Sequence, residues 1–191
     1  RMQRIVDDLL DLTRIESGGW RPNPVPAELR AMVQEVFLGV RPVADRKGVA
    51  LVAALPADVT TITADPTALR QVLSNLVDNA LRHTAEGSIT VSAARVPGAV
   101  TVSVRDTGSG IPAEHLSRIF ERFYRADAAR SRQEGGTGLG LAIVKHMVEA
   151  HGGRVAAEST VGVGTTISVT FPAPSASQTA TGSATASGAG A

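Results

Sequence analysis

Asn75 and Asn79 stand one helical turn apart in a stretch whose other residues repeat as a helix. Leu69, Val72, Leu73, Leu76, Val77, Ala80 and Leu81 form its apolar stripe. Gln71, Asn75, Asn79 and Arg82 fall together on a different side, with His83 at the margin. Asparagine is a mediocre helix former because its amide competes with the backbone, so two of them mid-helix ask for a reason. Amide oxygens can coordinate a hard divalent cation, and amide nitrogens can donate to phosphate oxygens. On this helix alone a solvated polar face stays open as the plainer reading.

Three further stretches carry chemistry. Asp106-Thr107-Gly108-Ser109-Gly110-Ile111 follows an alternating, strand-like run. Its glycines allow a tight turn and close approach of a flat ligand. A carboxylate at such a strand end can accept from an exocyclic amine, which favours adenine and repels the carbonyl of guanine. An ordinary Asp-Gly turn is the alternative. Gly135-Gly136-Thr137-Gly138-Leu139-Gly140-Leu141 opens another helical run. Free N–H groups at a helix start can hold an anion. This stretch lacks the lysine of a P-loop, and Ile143 stands where a dinucleotide fingerprint needs glycine. Between the two glycine motifs, Ile119-Phe120-Glu121-Arg122-Phe123-Tyr124-Arg125 precedes a polar run bearing Arg130 and Arg132. Aromatic anchors, arginines and terminal glycines describe a lid over a phosphate ligand, or else a solvated surface loop.

The elements that must position these residues are legible from pattern. Ala27–Arg46 reads as a helix, with Leu51–Ala54 and Thr60–Thr63 as short strands. Asp65-Pro66 starts the asparagine helix, with Asp65 as N-cap and Pro66 in the first turn, and the helix runs to His83. Ser88–Arg95 and Val100–Arg105 form a hairpin around Pro97-Gly98. Leu139–His151 is helical, and Arg154–Glu158 with Thr165–Phe171 closes the chain as a second hairpin. Strands and helices mix without regular βαβ alternation, so the fold class is α+β: one largely antiparallel sheet backed by helices on one face.

Ahead of this domain, Met2, Ile5, Leu9 and Leu12 keep heptad spacing, which predicts a short coiled-coil-type helix over Arg1–Ser17, stopped at Gly18-Gly19. A helix lying on its own domain is the alternative to a dimer seam. Residues 1–19 are thus expected to end a dimerisation helix, and residues 20–26, marked by Pro22, Pro24 and Pro26, to be a stiff linker. The folded domain covers residues 27–174, and the Ser/Ala/Thr/Gly/Gln-only tail 175–191 is expected to be disordered. The chain has 191 residues, no cysteine and a net charge of +1. That excludes disulfide scaffolds, thiolate metal sites and cysteine nucleophiles. It gives no case for a nucleic-acid partner held by bulk charge. No apolar run reaches the ~20 residues of a membrane span. The chain starts in the middle of a pattern and reads as a piece of something longer.

In this order and spacing, the four motifs resemble the ATP-binding catalytic domain of bacterial two-component sensor histidine kinases. Asn75–Ala80 is similar to the N box, Asp106–Ile111 to the G1 box, Phe120–Phe123 to the F box and Gly136–Leu141 to the G2 box. Phe120–Arg125 and Thr137–Lys145 are especially similar to the phosphate-regulon type. The resemblance implies the Bergerat two-layer α/β sandwich, with ATP and Mg2+ as ligands. It implies that Asn79 ligates Mg2+ with Asn75 assisting, and that Asp106 accepts from the adenine amino group. Arg82 would contact phosphate, His83 would pack near the nucleotide, and Tyr124 and Arg125 would reach base or ribose and phosphate. Gly136, Gly138 and Gly140, with Thr137, Leu139 and Leu141 between and beside them, would cradle phosphates, while Gly108, Gly110 and Ile111 shape the adenine pocket.

Gyrase-type, mismatch-repair and chaperone ATPases of the wider superfamily carry a glutamate four residues before the metal-binding asparagine. That position is Asn75 here, and an amide cannot activate water as a general base. Transfer of the γ-phosphoryl group to an imidazole therefore fits better than hydrolysis. None of the four histidines stands in a phospho-acceptor motif. The resemblance implies an acceptor histidine elsewhere, a homodimer through the helical bundle, relay to a response regulator, and a membrane-anchored parent with this part in the cytoplasm.

Overall fold

The structure, a computed structural model, describes Thr13, residues 19–125 and residues 137–173. The elements are β1 (Val25–Glu28), α1 (Leu29–Lys47), β2 (Val49–Ala54), β3 (Thr61–Ala64), α2 (Pro66–His83), β4 (Gly87–Val96), β5 (Ala99–Asp106), α3 (Ala113–Leu116), α4 (Gly140–Ala150), β6 (Arg154–Thr160) and β7 (Gly164–Pro172). Helix expectations for residues before Thr13, the polar run with Arg130 and Arg132, Gly136 and the tail 175–191 all lie outside the described residues.

Five strands form one sheet in the order β2-β4-β5-β7-β6. Every pairing is antiparallel except β2 with β4. The sheet is thus largely antiparallel, as its pattern suggests, and the one parallel pair arises because β3 and α2 intervene as a crossover and return the chain in the same direction. Thr61–Ala64 does not join this sheet. It pairs with Val25–Glu28, in the stretch that its prolines mark as a connector. Pro26 has no N–H to offer, which a two-stranded ribbon tolerates. The first long helix accordingly begins at Leu29, two residues later than its pattern suggests.

Alternation decides which side of the sheet is covered. Ile89 and Val91 of β4, Val100, Val102 and Val104 of β5, and Ile167, Val169 and Phe171 of β7 all point inward and are buried. The apolar stripes of α1, α2 and α4 close over them, and Leu69, Val72, Leu73, Ile143 and Val144 are fully buried. The outer face is small and polar: Thr101 bonds Thr170 at 2.9 Å and Ser103 bonds Ser168 at 2.8 Å across strands.

Helix α2 is anchored at both ends. Asp65 caps it, accepting from the N–H groups of Thr67 and Ala68 at 3.0 Å each. Burial is the largest single influence on that carboxyl and opposes ionisation, but hydrogen bonds from Ala68, Asn23 and Thr67 together hold it below its ordinary value. At the other end, Lys47 Nζ donates to the carbonyls of Leu81 at 2.6 Å and Thr84 at 2.9 Å, where a helix C-terminus favours a cation. His151 ties the ribbon side down: its Nδ1 donates to Met147 O at 2.7 Å, and its Nε2 accepts from Asp65 N at 3.0 Å. Its ring also packs edge-on against Phe171 and beside Trp20.

Candidate functional site

The inward rows of the sheet change character at one end. Val91, Val104, Ile167 and Ala157 share one apolar rung. Two residues along each strand the partners become Ile89, Asp106, Thr165 and Ser159, since Ile89 pairs with Asp106 and Ser159 with Thr165. The period of two that buries Val100, Val102 and Val104 therefore carries Asp106 to the same side, where it is 6% exposed. A carboxylate here costs free energy unless something accepts its charge. Gly108 N donates to its Oδ1 at 2.9 Å and Thr165 N at 3.2 Å. Both bonds use one oxygen, which leaves the second for a ligand. Burial pushes the Asp106 carboxyl above its ordinary value, against the opposing pull of those two N–H groups and of nearby His83.

The loop after Asp106 is glycine-rich for the sake of its own neighbours. A side chain at Gly108 would overlap the His83 carbonyl, and one at Gly110 (φ 70°) the Thr160 carbonyl. These glycines let the loop dock on the end of α2 and on β6. Ser109 N donates to His83 O at 3.3 Å, and Gly162 N donates to Ser109 O at 2.8 Å. Ile111 N donates to Ser159 Oγ at 2.8 Å.

The asparagine face of α2 meets the start of α4. Gly140, the first residue of α4, faces Asn75, whose Oδ1 would lie 3.4 Å from a Cβ placed there. Asn75 Nδ2 is buried with no hydrogen-bond partner, and so is one guanidinium nitrogen of Arg125. Orphaned donors of this kind are costly in a folded protein and fit a ligand that supplies acceptors. Asn79 and Arg82 are half-buried on the same side of α2, and His83 is exposed at its end. Thr137 Oγ1 accepts from Leu139 N at 3.2 Å and shapes the turn into α4. Leu139 itself is fully buried in the core, so only its backbone is left for a ligand, and Leu141 packs partly against the same core.

The aromatic segment splits in two. Phe120 packs against the core, whereas Phe123 is 58% exposed with a left-handed backbone (φ 59°). Its N–H donates to Gly138 O at 2.9 Å, and Gly138 (φ 71°) lies flat against the Phe123 backbone. Tyr124 is held by His115, whose Nδ1 lies 2.7 Å from its hydroxyl, and by Arg118 stacked 4.2 Å over its ring. On α4, His146 is half-buried, and burial, reinforced by Arg122, lowers its pKa. The residues that pattern reading misses are Ser159, Thr165 and His115, because strand register and a turn bring them to the site. A separate groove beside Glu35, Gly39, Arg70 and Asp78 is crossed by an Arg70–Glu35 ion pair at 2.8 Å and shares no residue with the polar rung.

Residues 64–175, more than half the chain, match the family described as histidine kinase-, DNA gyrase B- and HSP90-like ATPase. The sensor protein IrlS of Burkholderia pseudomallei is 41% identical over 174 residues, covering 91% of this chain and 37% of that protein. The sensor histidine kinase WalK of Bacillus subtilis is 38% identical over 182 residues, covering 90% of this chain and 28% of that protein. The chain thus spans about a third of the length of these relatives. Among solved structures, full-length ShkA in complex with AMPPNP superposes with a TM-score of 0.81 at 31% identity, covering 90% of this chain and 35% of that one. The nucleotide-free catalytic domain of the histidine kinase ThkA gives 0.68 at 27% identity, covering 78% of this chain and 95% of that one.

Proposed function

The chain belongs to the histidine kinase-, DNA gyrase B- and HSP90-like ATPase family, as an ATP-binding catalytic domain of the sensor-histidine-kinase type, and from that premise we propose that its polar rung and its asparagine face hold the two ends of one ATP molecule. The γ-phosphoryl group then passes to a histidine of a dimerisation bundle and onward to a response-regulator aspartate.

Buried Asp106 carries this reading. Its second oxygen, one rung along the sheet from the buried Val104–Ile167 pair, suits an exocyclic amine beside an apolar ring. At position 6 adenine offers an amine, whereas guanine offers a carbonyl that the carboxylate would repel. Toward the other end, the orphaned Asn75 Nδ2 and the Arg125 guanidinium supply donors for phosphate oxygens, and the N-terminus of α4 favours negative charge. Gly138 and Gly140 let backbone approach this region, and Arg82 adds a cation.

Mg2+ keeps several waters and takes few protein oxygens when it arrives with phosphates. Two amides one turn apart fit that sparse donor set. Among the described residues no cluster of three or more His, Cys, Asp or Glu side chains offers a dedicated cage. Asn79 would supply an oxygen to the ion, with Asn75 beside it; when bound, the ion neutralises phosphate charge. Transfer breaks the bond between the γ-phosphorus and the bridging oxygen, releases ADP and forms a phosphorus–nitrogen bond. The attacking nitrogen of a neutral imidazole carries a lone pair and no proton, so no base acts on it, and the proton on the other ring nitrogen leaves to solvent or to a base beside the acceptor histidine, which suits Asn75 in place of a carboxylate. We assign the parent protein a homodimeric, membrane-anchored arrangement by the same family reasoning. Among the described residues no helix is long and apolar enough to cross a membrane.

Label from γ-labelled ATP tests this. The chain alone is expected to bind ATP, to release phosphate no faster than the buffer background, and to acquire no acid-labile phosphate. Steady phosphate release would favour an ATPase instead.

A further inference from the structure

We propose that Ser159 is a positioning residue that sets the adenine specificity of the site, by fixing the direction of a hydroxyl proton beside Asp106. The inference rests on the proposed ATP pocket.

A serine hydroxyl has one proton to give and two lone pairs. Three partners surround Ser159 Oγ: Gly164 O at 2.9 Å, Ile111 N at 2.8 Å and Thr165 Oγ1 at 2.9 Å. A carbonyl only accepts, so the Ser159 proton goes to Gly164. A backbone N–H only donates, so Ile111 takes one lone pair. The remaining lone pair can be filled only by the Thr165 hydroxyl, which must donate. Thr165 Oγ1 then presents lone pairs alone. Its backbone N–H is spent on Asp106 Oδ1 at 3.2 Å.

Two consequences follow. Ser159 joins the two segments that flank Asp106: the loop ending at Ile111 and the turn entering β7 at Gly164-Thr165. Gly164 (φ 134°) lies so close to the Asp106 carbonyl that any Cβ there would overlap it, so a shift of this turn is felt at Asp106 directly. Ser159 also makes the polar end of the sheet an acceptor surface, with the Asp106 carboxylate and the Thr165 hydroxyl both lacking a free donor. Such a surface matches a ligand edge that carries N–H groups and disfavours one that carries a carbonyl. Ser159 itself is half-buried on β6 and is reached only through register.

Ser159→Ala removes the hub while leaving the strand and its backbone pairing. The test compares the binding of ATP with that of purine riboside triphosphate, which lacks the 6-amino group. Ser159→Ala is expected to weaken ATP roughly tenfold, the size of one lost hydrogen bond, and to weaken the amine-free analogue far less. Ser159→Thr, which keeps the hydroxyl, is expected to restore the difference. Amide hydrogen exchange without nucleotide gives a readout independent of the ATP reading: the Ile111 and Thr165 N–H groups lose protection in Ser159→Ala. Equal loss for both nucleotides, or unchanged binding and unchanged protection, would overturn the proposal. If the unmutated chain binds no ATP, the pocket reading fails, while the exchange data still decide whether Ser159 orders the rung.

Discussion

Replacing Asp106 by asparagine separates binding from stability, because the carboxylate is placed for a ligand at a cost to the fold. Asparagine keeps an oxygen for the N–H groups of Gly108 and Thr165, so the loop geometry persists. It presents an NH2 group where the second oxygen was, and N–H would then face the N–H of the adenine amine. A hydrogen bond to a charged group contributes about 1.5–3 kcal/mol, so Kd for ATP should rise roughly 10- to 150-fold. Stability should move the other way. Burial raises the Asp106 carboxyl above its ordinary 3.8. The folded chain therefore holds that proton more tightly than the unfolded chain. Stability falls as pH rises from 3.8 through the raised value, and at neutral pH the full cost is present. Removing the charge relieves that cost, so Asp106→Asn should unfold at the same temperature as the unmutated chain or a higher one. Calorimetric titration and a thermal melt at neutral pH measure both. Unchanged ATP affinity would refute the placement of the amine at Asp106. Lost affinity together with a melting point lowered by several degrees would show that the carboxylate serves the fold.

The same titration predicts acid sensitivity: ATP affinity should fall on acidification at a pH above the usual carboxylate range, and Asp106→Asn should flatten that profile. Asn79→Ala should shrink the gain in ATP affinity that Mg2+ provides over EDTA, read by titration under both conditions. Lys47→Met removes both bonds to the end of α2 and should cost about 1–2 kcal/mol in urea unfolding, with an unchanged slope.

What was legible in the sequence was local. The stripe from Leu69 to Leu81 and the Asp65-Pro66 start specify α2, because periodicity and capping involve neighbours a few residues apart. The hairpin of β4 and β5 follows likewise from alternation around Pro97-Gly98. Strand β1 was hidden because Pro24 and Pro26 read as a connector, and its partner Thr61–Ala64 lies far along the chain. The parallel pairing of β2 was hidden for the same reason: direction comes from what lies between two strands. At the site, Asp106 and the asparagines stand out by residue type. Ser159 and Thr165 do not, since serine and threonine near a glycine turn are ordinary until register sets them beside Asp106. Gly108 and Gly110 stand out by their spacing, but their close approach to the His83 and Thr160 carbonyls is set by the fold, between segments far apart in the chain.

The most direct measurement is calorimetric titration of the chain with ATP and with GTP, each with and without Mg2+. The account predicts saturable ATP binding, strengthened by Mg2+, and no measurable heat from GTP. Equal binding of the two nucleotides, or binding of neither, would contradict it.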